Sequence, residues 1–414
     1  VDTSYDPDRS QLDVMSYIGG TSDGDTWSQE FRFQSEMGDT LEYQLGLFYF
    51  NSETDAGDGK PFVFLGDDVI EQGNQQDELL ATIEEQLPPG LPVDFGLIAQ
   101  PGDSLLADIK LETESVALFG QSTWHITDRW HFTGGLRWTY EEKEADMLTI
   151  VDSTAPSQAL LDFSFLSTVS LPIDDDFTRD TDDINWLANI SYDLLDETML
   201  FANVATGSKS GGFNTVNGTP EQREFDDEDT ISYEIGVKST LLDARLRVNA
   251  SAFFMQIDDY QFQQQLEAGI GTRVSNEAEV ETAGLELDVQ AAPLPNLILG
   301  FGLLYMDKYE VTDGPNKGDE LNSTAEYSGN INATFFFPVG DGAVYLRTDY
   351  SYQDDHLTGS GTEVTDRDEQ DREVLNANLG WRNDHWNLSI WGKNLTDDEY
   401  AGLTASTFPV TSMD

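Results

Sequence analysis

Three groups of residues in this 414-residue chain are of types that do chemistry, and each needs a scaffold to position it. Gly20-x-Ser22-x-Gly24, within GGTSDG, has the spacing of a hydrolase nucleophile elbow. That device needs a strand before the serine and a helix after it, so that the hydroxyl is lifted onto a sharp turn above a sheet. The following DTWSQEFRF alternates as a strand, so the match is one of spacing alone. The four histidines, His125, His131, His356 and His385, show no metal-ligand spacing and no triad partners. His125 and His131 flank a short turn, where polar packing at a rim is their expected role. Neither set supplies a catalytic residue, and the chain does not read as an enzyme.

The third group is acidic. IDDDFTRDTDD (173–183), FDDEDT (225–230) and TDRDEQD (365–371) read as parts of long loops. Clustered carboxylates are the hard oxygen donors that calcium prefers, which makes Asp174, Asp175, Asp176, Asp180, Asp182 and Asp183 the candidate Ca2+ ligands. None of the runs fits an EF-hand loop, and a solvated acidic surface suited to high salt is the plainer reading. The whole chain carries 78 acids against 21 bases, a formal charge of -57, which makes nucleic acid a poor partner. It has no cysteine. Its longest apolar run, LILGFGLLYM at 297–306, is too short for a transmembrane helix but says nothing against a transmembrane barrel. The polar opening VDTSYDPDRSQ suggests a segment of a longer protein.

The elements that would position these groups are strands. In WHFTGGLRWTYEEKE (130–144), Trp130, Phe132, Leu136, Trp138 and Tyr140 alternate with His131, Thr133, Arg137, Thr139 and Glu141. An extended strand turns these into one apolar and one polar face. The pattern recurs in about fourteen segments of roughly ten residues, the length that spans a bilayer when tilted. Short polar connections (36–39, 127–129, 195–198, 241–244, 292–296, 338–342, 382–385) alternate with long excursions at 52–114, 145–182, 211–228, 312–323 and 354–372. That sorting puts tight turns at one rim and long loops at the other, the layout of an outer-membrane barrel. A soluble sandwich has no reason to sort them, and a propeller would need shorter strands and a repeat of about forty residues. The expected fold is therefore an all-β transmembrane antiparallel barrel. Its apolar side chains face lipid, Trp130, Trp138 and Tyr140 mark the two ends of the apolar band, and Arg137 and Glu141 face the lumen.

ATGSKSGGFN (205–214) resembles the barrel of TonB-dependent outer-membrane receptors, in particular the siderophore-receptor-like group. SQEFRFQS (28–35), the segments 117–143, 232–261 and 281–307, and GKNLTDDEY (392–400) follow in the family's order. The resemblance implies a barrel of roughly 22 strands around a plug. Residues 1–414 would then be a partial barrel domain, with the plug, the first strands and the final strand lying outside this sequence. It further implies import of a scarce nutrient, most readily a ferric siderophore, driven by the inner-membrane TonB complex pulling on the plug. A receptor for cobalamin or an oligosaccharide, a passive porin-like channel and a surface or structural barrel are the alternatives. Outer-membrane lipid and lipopolysaccharide would surround it.

Lys209, Phe213, Asn214 and Arg223 lie where a strand runs into an extracellular loop; they are placed either to touch cargo or to pack the rim and anchor the loop. So acidic an extracellular face would repel anionic siderophores at low salt, which favours neutral or cationic cargo. DELLATIEEQL (77–87) has the apolar spacing of a helix within the longest loop.

Overall fold

The computed structural model describes residues 22–65, 100–152, 173–214, 223–265, 272–314, 317–321, 324–357 and 369–400, with short pieces at 4–5, 15–18, 67 and 70. The first half of the chain forms β1 (Ser4–Tyr5), β2 (Met15–Ile18), β3 (Ser22–Met37), β4 (Leu41–Leu65), β5 (Ser104–His125), β6 (Trp130–Asp152), β7 (Ile173–Leu195) and β8 (Thr198–Lys209). A small hairpin, β9 (Gly212–Phe213) and β10 (Glu224–Phe225), follows. The second half forms β11 (Glu228–Leu241), β12 (Leu246–Gln265), β13 (Thr272–Leu294), β14 (Leu297–Asp313), β15 (Tyr327–Val339), β16 (Gly342–Leu357), β17 (Glu369–Arg382) and β18 (Asn387–Gly392).

Among the described residues, one antiparallel sheet of 16 strands takes in every strand except the β9–β10 hairpin. Setting aside the short β1 and β2, which extend the far end of β4, leaves fourteen strands that follow one another in chain order from β3 to β18. All seven tight connections fall at one rim. The turns at Gly38 and Gly340 and the Leu242–Asp243–Ala244 turn are closed by positive-φ residues. Within hydrocarbon a strand must find all its backbone partners in its neighbours, and the unbroken ladders from Leu41↔Trp124 through Trp130↔Tyr192 to Leu241↔Leu246 provide them. Among the described residues, β3 and β18 lack a ladder partner on their outer sides.

Side-chain alternation sorts as the sequence pattern requires. On β6, Trp130, Phe132, Leu136 and Trp138 are exposed, with Leu136 at 57 %, while the intervening His131, Thr133, Arg137 and Thr139 are partly covered. The register carries this phase across the sheet: Phe132 lies opposite Ile190, Leu118 opposite Leu47, and Leu379 opposite Ile390. Ile190 (42 %), Leu118 (58 %), Leu47 (47 %), Leu379 (49 %) and Ile390 (72 %) all stand exposed. A soluble sandwich would have buried them. Trp130 packs on Tyr192 with ring centroids 4.6 Å apart, and Trp27 on Tyr49 at 5.1 Å, as interfacial aromatics do. Trp130 to Tyr140 is ten rises of about 3.3 Å, which at a tilt of about 40° covers roughly 25 Å, the height of a barrel's apolar band.

Two sequence expectations are corrected. Strands continue well past the bilayer, so the long connections are shorter than expected: β4 runs to Leu65, β5 starts at Ser104, β6 ends at Asp152 and β7 starts at Ile173. The acid run 173–183 is therefore strand, not loop. Above the membrane both faces of a strand are wet, so nothing selects apolar residues on either, and hydrophobic alternation disappears although the ladder persists. Ser22 begins β3, so the GxSxG spacing sits at the start of a strand and no nucleophile elbow forms there. The helix expected at 77–87 lies outside the described residues.

Candidate functional site: the interior face and its mouth

The polar alternates of β8 and β11–β17 converge on one concave face enclosing a space of about 690 Å³. Glu234, Glu286 and Asp288 are partly offset there by Lys238 and Arg372, and the Lys238 ammonium stands 5.1 Å over the Phe201 ring. The lining sets charged and amide groups beside apolar ones such as Phe201 and Leu303. The same face continues onto β4–β7 through the register Phe201↔Ser191↔His131. There Arg137 donates to Thr139 Oγ1 at 3.1 Å and lies 5.6 Å over the rings of both Phe48 and Phe119, the interior position expected for it.

At the long-loop rim, the excursion between β8 and β11 is folded onto this interior face and pinned. The Arg179 guanidinium on β7, only 11 % exposed, reaches Glu224 at 2.7 Å and Asp226 and Asp227 at 3.1 Å. Burial works against its charge, but the hydrogen bonds it donates to Glu224 and Asp226 and the charge of Asp227 outweigh it and hold the guanidinium above its ordinary pKa. From β6, Lys143 Nζ donates to Ser210 Oγ at 2.8 Å and to the Gly211 carbonyl at 2.7 Å. Asn276 and Gln261 close the far side through the backbone of Asp226. Gly211 has a direct physical reason: a Cβ there would run into the Phe225 carbonyl oxygen and stand 2.8 Å from Arg179.

Of the four rim residues read from the sequence, the structure commits two to anchoring. Phe213 packs on Phe177 at 5.7 Å beside the buried cluster of Ile109, Ala145 and Met147. Asn214 pairs with the Val274 backbone through both ends of its amide, at 3.0 and 2.8 Å. Arg223 is 1 % exposed; its Nε and Nη1 have no hydrogen-bond partner among the described residues, and burial lowers its pKa against the pull of Asp175. Lys209 ends β8 with its side chain exposed. The six aspartates do not converge: strand alternation puts Asp174, Asp176, Asp180 and Asp182 on the outer face and Asp175 and Asp183 on the other. Among the described residues, no three His, Cys, Asp or Glu side chains are grouped to hold a metal ion.

Sequence reasoning missed one constellation. At the tight-turn rim His125 Nδ1 faces His131 Nδ1 at 2.6 Å, His125 Nε2 meets Glu42 Oε1 at 2.9 Å, and His131 Nε2 meets Asp193 Oδ2 at 2.9 Å. The signal was available in part, because a four-residue turn at 126–129 sets His125 directly opposite His131.

A family model for the TonB dependent receptor-like beta-barrel matches residues 2–395. The pesticin receptor of Yersinia pestis is 24% identical over 300 residues, which are 69% of this chain and 40% of that protein. Among solved structures, the ferric yersiniabactin uptake receptor FyuA of Yersinia pestis superposes with a TM-score of 0.71 at 18% identity, over 94% of this chain and 51% of its own. The siderophore receptor PiuA of Acinetobacter baumannii gives 0.67 at 17%, over 95% and 55%. The chain thus spans about half the length of the solved receptors that it resembles. With the fold, the outward apolar face and a family match over nearly the whole sequence in agreement, the chain belongs to the β-barrel family of the TonB-dependent receptors of the Gram-negative outer membrane.

Proposed function

We propose that this barrel segment belongs to a transporter that imports a ferric siderophore, with a plug seated against the concave face and pulled by the inner-membrane TonB complex. The observation that carries the proposal is the interior face of mixed polarity, with the β9–β10 hairpin, separate from the main sheet, pinned against it at the long-loop rim. Import then needs no covalent chemistry, only loop conformations that differ in affinity for cargo. A porin would instead keep its lumen open. The siderophore receptors among the structural neighbours support this cargo class, while the net charge of -57 favours a neutral or cationic complex within it.

In this reading Lys209 meets cargo directly, Phe213 and Asn214 hold the hairpin, and Arg223 meets cargo only once the hairpin opens. The outer face contacts lipid and lipopolysaccharide. Calcium, if bound by the outward Asp174, Asp176, Asp180 and Asp182, would be shared with lipopolysaccharide phosphates. The test is uptake of radioactive iron by a strain deleted for the gene, supplied in turn with neutral, cationic and anionic siderophores. Loss of uptake for one neutral or cationic complex, restored by the gene and abolished by a TonB deletion, supports the proposal. Unchanged uptake of every complex overturns it.

A further inference from the structure

We propose that His125 and His131 form a binding site for a divalent transition-metal ion, of the copper or nickel type, at the tight-turn rim of the interior face. The two facing Nδ1 atoms are 2.6 Å apart, with the rings edge-on at 79°. Each far nitrogen is held by a carboxylate, Glu42 on β4 and Asp193 on β7. Since a carboxylate only accepts, both Nε2 atoms carry hydrogens, and the two Nδ1 atoms face each other across a gap that either a proton or a metal ion can bridge, the metal releasing the proton to solvent. The two Nδ1 atoms thus face one gap, and the carboxylate behind each ring fixes its tautomer, the arrangement that backs histidine ligands in metal sites.

The spacing also selects among metals. Two imidazole nitrogens at about 2.0–2.1 Å from a tetrahedral zinc stand about 3.3 Å apart, but on adjacent corners of a tetragonal ion only about 2.9 Å apart. The second needs a separation of a few tenths of an ångström from the observed 2.6 Å, which side-chain torsions on two adjacent strands supply. With side-chain exposures of 28 % and 19 %, the pair keeps access to water for the remaining coordination positions. His356 and His385 lie on other strands or turns and take no part in the pair. The site is at the opposite rim from the pinned hairpin and does not depend on the proposed cargo.

The experiment adds one equivalent of Cu2+ to the full chain folded in detergent and records its electron paramagnetic resonance spectrum. The expected spectrum shows hyperfine splitting from two nitrogens, which is lost in H125Q and in H131Q and unchanged in a chain carrying H356Q and H385Q. Glu42→Gln and Asp193→Asn each weaken copper affinity about 10–100-fold. Circular dichroism on each variant reports whether the sheet is intact, and the spectrum of the unaltered chain decides the question without any variant. A spectrum with no two-nitrogen splitting, or one that survives in H125Q and H131Q, overturns the proposal.

Discussion

Replacing Arg179 with Gln should release the roof of the barrel without unfolding its wall. The side chain is 11 % exposed, whereas its partners Glu224, Asp226 and Asp227 are 50 %, 80 % and 26 % exposed. The nearly free Asp226 contributes little, and half-exposed Glu224 contributes about 0.5 kcal/mol. The covered Asp227 contact, a charge-assisted hydrogen bond, contributes about 1.5–2.5 kcal/mol. Their sum, about 2–3 kcal/mol, corresponds to a roughly 30–150-fold rise in the population of the opened hairpin. The three carboxylates left facing one another push in the same direction. Amide hydrogen exchange reads this locally, because the Asp226 N–H is bonded to Asn276 Oδ1 on β13, and the Val274 N–H of β13 to Asn214 Oδ1, only while the hairpin is docked. Their exchange should accelerate by that factor in Arg179→Gln, while residues 131–139 of β6 exchange as before. Acceleration below about fivefold, or an equal effect along β6, would refute the idea that this guanidinium is a local clamp.

Gly211→Ala forces a Cβ against the Phe225 carbonyl and Arg179, and should cost about 1–3 kcal/mol of hairpin docking, visible as faster proteolysis within 208–228. Leu136→Arg puts a charge on the lipid side at mid-span and should destabilise the barrel in vesicles by about 2–4 kcal/mol, while Gly135→Arg on the lumen side escapes that penalty; equal unfolding midpoints would contradict the assignment of faces. Above the membrane, the hydrogen bond and charge of Asp146 raise the pKa of Asp176. A carboxyl raised on folding adds stability that is present below its unfolded pKa and lost as pH rises through its folded value. Mild acid should therefore slow exchange in the outer β6–β7 ladder, and Asp176→Asn should remove that pH dependence.

Strand faces and turns were legible in the sequence because lipid on one side and water on the other write alternation into every spanning segment. Trp130 through Glu141 shows this residue by residue. Above the bilayer the same strands meet water on both faces, which is why Asp174–Asp183 reads as loop although it pairs with β6. The roles of Phe213 and Asn214 turn on contacts with Phe177 and Val274, 36 and 60 positions away in the chain, and no local pattern announces these. The histidine pair was half visible. The turn at 126–129 sets His125 beside His131, but Glu42 and Asp193 arrive only through the β4 and β7 registers.

The chain has no cysteine, so single cysteines can be introduced one at a time from 131 to 140 and spin-labelled without background. In vesicles, labels at 132, 134, 136, 138 and 140 should be relaxed by oxygen dissolved in the lipid, and those at 131, 133, 135, 137 and 139 by a water-soluble nickel chelate. A flat profile, or the opposite phase, would show that the oily side chains of this sheet do not face the membrane.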